Sequence, residues 1–340
     1  MELGLYTDSV DKLSRTEALD LAARIGATGI ELAMGGQSWA PHADINALLN
    51  VPQARDQLAG ELSERGLRLA ALNCSAWPMH PVHGPAHVEL IKNTIRLAAM
   101  LGVDKIVTMS GCPGDGAGAT TINWIWYPWP PDAVGLLERQ WDEAIPLWSE
   151  LSAFAEDHGV RRVALELHPL HLVYNVPTLL RLRAATSPVI GANVDPSHMF
   201  WQQMDPLRVV RALGPAVHHV HLKDTELVDD EVALAGVLDQ RPFDASGSRA
   251  WRFRTVGRAH PPAFWADLVG ALRDVGYTGV LSIENEDWLQ DRVEGVAEAA
   301  ALMTGLLAGD HPAEVRSALP APAPPGTSTV PPGTRGPRTR

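Results

Sequence analysis

Four side chains of metal-binding type occur at intervals of 29, 26 and 63 residues in the second half of the chain: Glu166, Asp195, His221 and Glu284. Three carboxylates and one imidazole, with no thiolate, form an oxygen-rich set that suits a hard or borderline divalent ion such as Mn²⁺, Mg²⁺ or Co²⁺. Six-coordination would leave positions for water and for substrate oxygens. The set therefore predicts an open metal centre rather than a closed structural zinc site.

Each of these residues also has an ordinary structural interpretation. A single acidic residue at a strand end is often a helix cap or a surface ion pair, and a single histidine in an apolar strand is often a core residue. The carboxylates here lie in apolar segments, however, where an unpaired charge is strongly unfavourable. They need a cation or a strong donor network, and the joint pattern favours a metal.

The four residues lie near the carboxyl ends of four consecutive predicted strands. Short apolar runs rich in β-branched residues predict eight strands, with amphipathic helical segments between them. The strands are predicted at 2–7, 29–34, 67–75, 105–111, 163–169, 190–198, 217–224 and 279–287. This repeat predicts a single (β/α)8 barrel, in which the carboxyl ends of the strands form the active-site face. An open doubly wound sheet is the alternative, because strand number alone does not establish closure.

Two long segments interrupt the strand–helix repeat. Residues 112–132 follow the fourth strand and residues 225–257 follow the seventh, so both are expected to form walls or lids over the substrate. Tryptophans in the loops at this face either cover the apolar faces of a sugar or close the barrel mouth. They are Trp77, Trp124, Trp126 and Trp129.

Several further polar residues are predicted near the same face. His198 follows the sixth strand and is expected to bind substrate or to orient a carboxylate. His168 and His80 are candidate general bases, and a polar loop contact is equally consistent with each of them. Glu31, on the second strand, is expected either to pair with Lys223 or an arginine or to act in catalysis.

Composition limits the range of functions. The chain has 340 residues, 46% apolar and 20% charged, which permits one large domain or two ordinary ones. Forty acidic against 28 basic residues give a net charge of -12, which opposes binding to a nucleic-acid backbone. Two cysteines, no basic leader and no long apolar stretch predict a cytoplasmic protein without a membrane span. Residues 1–309 are predicted to form the barrel, and the Pro- and Gly-rich residues 310–340 a disordered tail.

Longer motifs resemble a known family. They read LNCSAWPMHP, SGCPGDG, ALELHP, GANVDPSHMFWQ, HVHLKD, SRAWRFRTVG and VGYTGVLSIENED. On these segments, residues 2–308 resemble the xylose-isomerase-like TIM barrels of the sugar phosphate isomerase/epimerase family. The resemblance implies that the four spaced residues hold a divalent metal, often Mn²⁺, and that His198 contacts the substrate. It also implies a sugar-binding cation, for which Lys223, Arg249 and Arg254 are candidates.

The family resemblance implies a metal-dependent isomerase or epimerase that acts on a keto-sugar through proton abstraction and an enediolate, with Glu166 and Glu284 as base and acid. The alternative is a lyase that cleaves 3-oxo-glycosides, as C-glycoside deglycosidase barrel subunits do, with His80 or His168 protonating the leaving group. A non-catalytic sugar-binding barrel is a remote alternative. Abasic-DNA endonuclease relatives need more metal ligands and a basic groove, so that activity is disfavoured.

The partners expected on this reading are a sugar or glycoside and either a second copy of the chain or a small accessory subunit, but neither nucleic acid nor a membrane. Substrate contacts are expected from His198, Lys223, Arg254, His80, His168 and Trp129.

Two features bear on the identity of the substrate. The glycine-rich segment at residues 110–119 lacks the Lys and Ser/Thr pair of a phosphate loop, which predicts an unphosphorylated sugar or glycoside. The chain has Asn285 where close relatives more often have a histidine, and Arg258 and Ala259 where they have a small glycine-containing turn. These departures leave the metal set intact and the particular sugar open.

Overall fold

The computed structural model of the chain describes residues 1–243 and 249–318. All strands in these ranges except β8 and β9 form one closed parallel barrel, in chain order around the ring. The strands are β1 (Glu2–Tyr6), β2 (Gly29–Gly36), β3 (Arg68–Ser75), β4 (Lys105–Thr108), β5 (Arg162–Glu166), β6 (Ile190–Val194), β7 (Val217–Leu222), β8 (Asp224–Leu227), β9 (Trp251–Arg254) and β10 (Val280–Ile283).

Closure of the barrel follows from the pairing of β1 on both sides. Gly4 lies opposite Gly29 of β2, and Glu2 lies opposite Val280 of β10. A Cβ atom at Gly4 would come within 2.3 Å of the Val280 side chain, so glycine is required for this close approach. The predicted (β/α)8 barrel is confirmed, and the open doubly wound sheet is wrong.

Helices cover the outside of the barrel. The first begins where Ser14 and Glu17 cap each other's backbone N–H groups, which satisfies donors that the helix itself leaves free. In the described ranges, none of the helices combines the length and apolar character needed to cross a membrane. The helices are α1 (Arg15–Arg24), α2 (Ile45–Asn50), α3 (Pro52–Ser63), α4 (Gly84–Met100), α5 (Pro131–Asp157), α6 (Val176–Ala185), α7 (Pro196–Trp201), α8 (Pro206–Leu213), α9 (Asp229–Ala235), α10 (Pro262–Asp274), α11 (Arg292–Ala308) and α12 (Pro312–Ala318).

Alternation of side chains along the strands separates two layers of the core. Residues such as Leu165 face the helices and belong to the large apolar cluster. Ala71, Val107 and Ala164 form a small separate cluster on three adjacent strands, which is the interior of the barrel. Glu166 lies two residues beyond Ala164 on the same face of β5, so the strand directs its carboxylate inward at the carboxyl end.

The segment at 225–257 contains structure that the sequence analysis treated as a loop. β8 and β9 form an antiparallel two-stranded ribbon in which Thr225 lies opposite Phe253. The stacked rings of Trp201 and Trp251, with centroids 4.7 Å apart, fix the ribbon against α7. This ribbon therefore forms part of the wall of the barrel mouth, where Trp251 and Phe253 line the cavity.

The predicted tail is wrong at its start. α11 ends at Gly309, whose φ of 98° is left-handed and suits glycine. The chain then turns back, and α12 places the buried Val315 over Gly305 of α11. Burial of this apolar side chain explains why residues 312–318 are helical. The remainder of the predicted tail, residues 319–340, lies outside the described residues.

Candidate active site

The four spaced residues come together at the carboxyl ends of β5, β6, β7 and β10. One potential ligand atom from each of Glu166, Asp195, His221 and Glu284 lies within 4.8 Å of the corresponding atoms of the other three. His221 Nδ1 is 2.9 Å from Glu284 Oε2 and 4.0 Å from Glu166 Oε2. These strands are neighbours in the barrel, which is why regular spacing in the sequence becomes proximity in space.

Local structure orients each of these side chains. Asp195 caps α7, and its Oδ1 accepts the Ser197 backbone N–H at 2.9 Å. Its Oδ2 therefore remains for the site. His221 stacks on the ring of Tyr6 at a centroid distance of 5.4 Å, while its Nε2 contacts both carboxylate oxygens of Glu31 at 3.0 and 3.1 Å. This contact assigns a ring proton to Nε2. Burial lowers the pKa of His221, but the carboxylates of Glu31 and Glu284 outweigh it and hold that pKa well above its usual value. A cation bound beside Nδ1 would replace the second ring proton.

The donor set fits a divalent cation. Among the described residues, buried Asp195 Oδ2 and His221 Nδ1 have no hydrogen-bond partner, although ionisable neighbours lie close to both. Both atoms can donate an electron pair to a cation, and they lie beside the carboxylates of Glu166 and Glu284. Three buried carboxylates and one imidazole form a ligand set that suits a divalent metal ion.

Lys223 extends this site toward the barrel mouth. Its ammonium Nζ lies 2.9 Å from Glu284 Oε2, 3.0 Å from Glu286 Oε2 and 3.1 Å from Asp195 Oδ2. Burial by itself lowers the pKa of Lys223, but the surrounding acids hold that pKa well above its usual value. The lysine is therefore a buried ammonium donor beside the candidate metal ligands.

The two glutamates occupy different electrostatic environments. Burial and the charge of Glu284 raise the pKa of Glu166 to about 7. Burial also acts to raise the pKa of Glu284, but Lys223 and His221 outweigh it and lower that pKa well below its usual range. A carboxylate pair with separated pKa values can divide the roles of proton acceptor and proton donor.

His198 and His168 lie beside Glu166. His198 Nε2 is 3.0 Å from Glu166 Oε1 and 3.3 Å from Asp195 Oδ2, and its ring centroid is 4.1 Å from that of His168. Burial lowers the pKa of each of these histidines to about 4. Both are neutral near pH 7, so they can serve as hydrogen-bonding groups without adding charge.

A cavity of about 980 Å³ opens above these groups, and Glu166, Glu284, His168, His198 and Lys223 line it. Its walls are strongly aromatic, with contributions from loops on opposite sides of the barrel. The aromatic lining residues are Tyr6, Trp39, Trp77, Trp124, Trp126, Trp201, Phe243, Trp251, Phe253 and Trp288.

These observations place the chain among known proteins. A model of the family described as Xylose isomerase-like TIM barrel matches residues 19–306. The chain belongs to this family. A relative in Bacillus subtilis (strain 168), the uncharacterized protein YfiH, is 38% identical over 300 residues, which cover 87% of this chain and 96% of that protein.

Solved structures share the xylose isomerase-like fold. The probable 3-DHS dehydratase AsbF of Bacillus anthracis has a TM-score of 0.63 at 17% identity, covering 89% of this chain and 99% of that one. D-psicose 3-epimerase of Clostridium cellulolyticum H10 has a TM-score of 0.61 at 14% identity, covering 91% and 99%. At these identities the similarity establishes the architecture.

Three predicted substrate contacts of this xylose isomerase-like barrel are not in the cavity lining. His80 Nδ1 accepts the backbone N–H groups of Val82 and His83, so it stabilises the turn before α4. Arg254 pairs with carboxylates of the ribbon region. Trp129 is 68% exposed and precedes α5. Spacing along the chain could not fix these loop and ribbon orientations.

The expected partnership of Glu31 with Lys223 is wrong. Glu31 lies deeper in the barrel, where it contacts His219, His221 and Asn73. Lys223 instead pairs with the acids at the mouth. Both residues face the barrel interior, but Glu31 lies in a deeper layer than Lys223. Assigning residues to strands from the sequence does not give their depth along the barrel axis.

Three acidic residues of the cavity, Asp8, Asp11 and Glu286, were not predicted from the sequence. Asp8, in the loop after β1, accepts a hydrogen bond from Ser38 Oγ at 2.7 Å and lines the cavity. Its position at the carboxyl end of β1 was a usable signal, since loops there build the active-site face. Asp11 and Glu286 also line the cavity and make its rim acidic.

Proposed function

We propose that the protein is a divalent-metal-dependent enzyme that isomerises or epimerises an unphosphorylated keto-sugar. The observation that carries this proposal is the convergence of Glu166, Asp195, His221 and Glu284, two of which, Glu166 and Glu284, line a cavity of about 980 Å³. Membership of the xylose isomerase-like family and structural neighbours that include a sugar 3-epimerase support it. We expect Mn²⁺ as the ion, with Mg²⁺ or Co²⁺ as substitutes.

The chemistry follows from the residues around that floor. A bound divalent ion would polarise a carbonyl and acidify the adjacent C–H bond. Glu166 and Glu284 then exchange protons with the substrate carbon, one removing a proton and the other returning one. His198 Nε2 holds Glu166 Oε1 at 3.0 Å, which fixes the direction of that carboxylate. Lys223 donates a hydrogen bond to a substrate oxygen and stabilises negative charge that develops there.

The charges of the cavity support an unphosphorylated substrate. Arg241 is paired with Asp239 and Glu231, Arg292 lies 3.7 Å from an aspartate, and Lys223 contacts three acids. These cations are already neutralised, so a phosphate dianion would meet a net acidic rim. A neutral sugar avoids this repulsion.

A lyase acting on 3-oxo-glycosides is the second candidate. The cavity volume of about 980 Å³ lies at the upper end for small-molecule sites, and its aromatic walls provide apolar area for a second ring. Proton removal beside the 3-oxo group would then be followed by loss of the glycosidic substituent. His168 lines the cavity, but its ring is neutral near pH 7 and its Nδ1 proton is donated to the Pro169 carbonyl. The proton for the leaving group would therefore come from Glu166, whose pKa is raised to about 7, with Glu284 as the base.

One experiment separates these functions. The metal-loaded protein is incubated in D₂O with keto-pentoses, keto-hexoses, their phosphates and 3-oxo-glycosides, and products are followed by NMR. Deuterium beside the carbonyl together with a new epimer or isomer supports the proposed activity, while release of an aglycone supports the lyase. Preference for a sugar phosphate would contradict the substrate proposal. Binding without exchange would indicate a sugar-binding barrel.

A further inference from the structure

A network of four buried polar side chains, joined by hydrogen bonds, runs through the barrel interior beneath the candidate metal site. Lys105 Nζ lies 2.8 Å from His219 Nδ1, and His219 Nε2 lies 2.7 Å from Glu31 Oε2. The other side of the Glu31 carboxylate contacts His221 Nε2. Each of the four side chains is at most 3% exposed, so each contact replaces hydration that the group has lost.

The donor of each hydrogen bond in this network can be assigned by starting from Lys105. A lysine ammonium has no acceptor site, so Lys105 must donate to His219 Nδ1. The proton of neutral His219 therefore lies on Nε2 and is donated to Glu31. Glu31 also accepts from Asn73 Nδ2 at 2.7 Å and is left as the acceptor for His221 Nε2. Every hydrogen bond in the network then has one donor and one acceptor.

The charge of each of these side chains in the network can also be assigned. Lys105 supplies a positive charge and Glu31 a negative one, with the neutral ring of His219 between them. Within residues 1–243 and 249–318, Glu31 contacts the side chains of His219, His221 and Asn73. Lys105 is therefore a cation that this network links to the buried Glu31 carboxylate.

We propose that Lys105, His219 and Glu31 are positioning residues that hold the Nε2–H of His221 and so direct its Nδ1 to the metal. The inference rests on the proposed metal-dependent function and deepens it, because it assigns the control of metal affinity to residues that do not touch the ion. Carboxylates that orient a metal-bound histidine in this way commonly change affinity by about 10- to 100-fold when removed.

The first test uses the wild-type protein without metal. Ring-nitrogen NMR of ¹⁵N-histidine-labelled protein reports which nitrogen of His221 carries the proton, with the resonance assigned through His221→Asn. We expect a proton on Nε2 of His221, as the contact with Glu31 requires. An unprotonated Nε2 would overturn the proposal. Because this reading needs neither turnover nor metal, it remains decisive if the proposed enzymatic function fails.

The second test measures Mn²⁺ affinity by calorimetry at fixed pH in variants whose folding is checked by circular dichroism. Glu31→Gln should weaken binding about 10- to 100-fold, and Lys105→Met should weaken it about tenfold, with Lys105→Arg restoring part of the loss. His218→Gln alters a buried histidine of the same strand that lies against Gly191 and should leave affinity within about twofold. Folded Glu31→Gln and Lys105→Met proteins with wild-type affinity would contradict the proposal, since a purely structural role changes stability alone.

Discussion

His221 Nδ1 and Glu284 Oε2 lie 2.9 Å apart, while His221 Nε2 contacts Glu31 on the other side of the ring. Two potential metal ligands at this distance in a buried site need positive charge between or beside them, from a proton or from a bound cation. Lys223 Nζ meets part of this need at 2.9 Å from the same Glu284 oxygen. A divalent ion held by all four convergent residues would meet it more completely.

Metal removal should lower thermal stability. A ligand present at 100 times its Kd stabilises the native state by about 2.7 kcal/mol, which corresponds to about 4 °C in Tm for a chain of 340 residues. Differential scanning calorimetry should therefore show a Tm loss with a chelator and its recovery with Mn²⁺ or Co²⁺. A Tm and a turnover rate that are both unchanged after complete chelation would contradict the metal site.

Lys223→Met should destabilise the metal-free protein more than the Mn²⁺-loaded one. The substitution leaves Asp195, Glu284 and Glu286 without their shared ammonium, and breaking a buried ion pair typically costs about 3–5 kcal/mol. A bound divalent ion would offset part of this repulsion. Urea unfolding with and without Mn²⁺ measures the difference, and Lys92→Met, which removes an exposed pair with Glu150, should cost about 0–1 kcal/mol in both states. Equal losses with and without metal would show that Lys223 is uncoupled from the ion.

Asp8 should make stability depend on pH in the acid range. Burial and nearby acids raise the pKa of Asp8 from 3.8 to about 6, so the native state holds a proton that the unfolded chain has released. The free energy of unfolding contributed by Asp8 therefore falls as pH rises from about 4 to about 6. Asp8→Asn should stabilise the chelated protein by about 2 kcal/mol at pH 7 and by little at pH 3.5. Urea unfolding of both proteins at the two pH values provides the check, and an equal effect at both would count against this assignment.

Two tryptophans of the same insert should differ in their effect on substrate binding. Trp126 lines the cavity, whereas Trp129 is outside its lining and 68% exposed. Loss of an aromatic contact is worth about 0.5–1.5 kcal/mol, so Trp126→Ala should raise KM about 2- to 10-fold for whichever sugar or glycoside is turned over. Trp129→Ala is the matched control and should leave KM within error. Equal increases for both variants would place the binding wall elsewhere.

The barrel and the convergence of its four candidate ligands were predictable because both follow from strand period and strand order. Each of Glu166, Asp195, His221 and Glu284 ends or follows a strand, and parallel strands in a barrel bring their carboxyl ends to one rim. This inference does not require any loop conformation to be known. The position of each residue along its strand was therefore sufficient to predict that the four side chains meet.

The remaining site residues depended on information that the sequence does not display. His80 and Arg254 belong to a turn and to a ribbon whose backbone geometry decides where the side chains lie. The ribbon of β8 and β9 was missed because its two strands are four residues each and lie 23 residues apart in the chain. Glu31 was assigned the wrong partner because height inside the barrel depends on the register between strands.

Solvent hydrogen exchange at the substrate carbon tests the central claim most directly. With Mn²⁺ and a keto-sugar or 3-oxo-glycoside in D₂O, wild-type protein should incorporate deuterium beside the carbonyl, and a chelator should stop it. Glu166→Gln and Glu284→Gln should each slow exchange by about 10²- to 10⁴-fold, while Glu298→Gln, which alters a carboxylate paired with Arg258 on the outside of the barrel, should exchange at the wild-type rate. Exchange that persists at the wild-type rate in chelated protein, or in both glutamine variants of the site, would contradict metal-assisted proton abstraction by these residues.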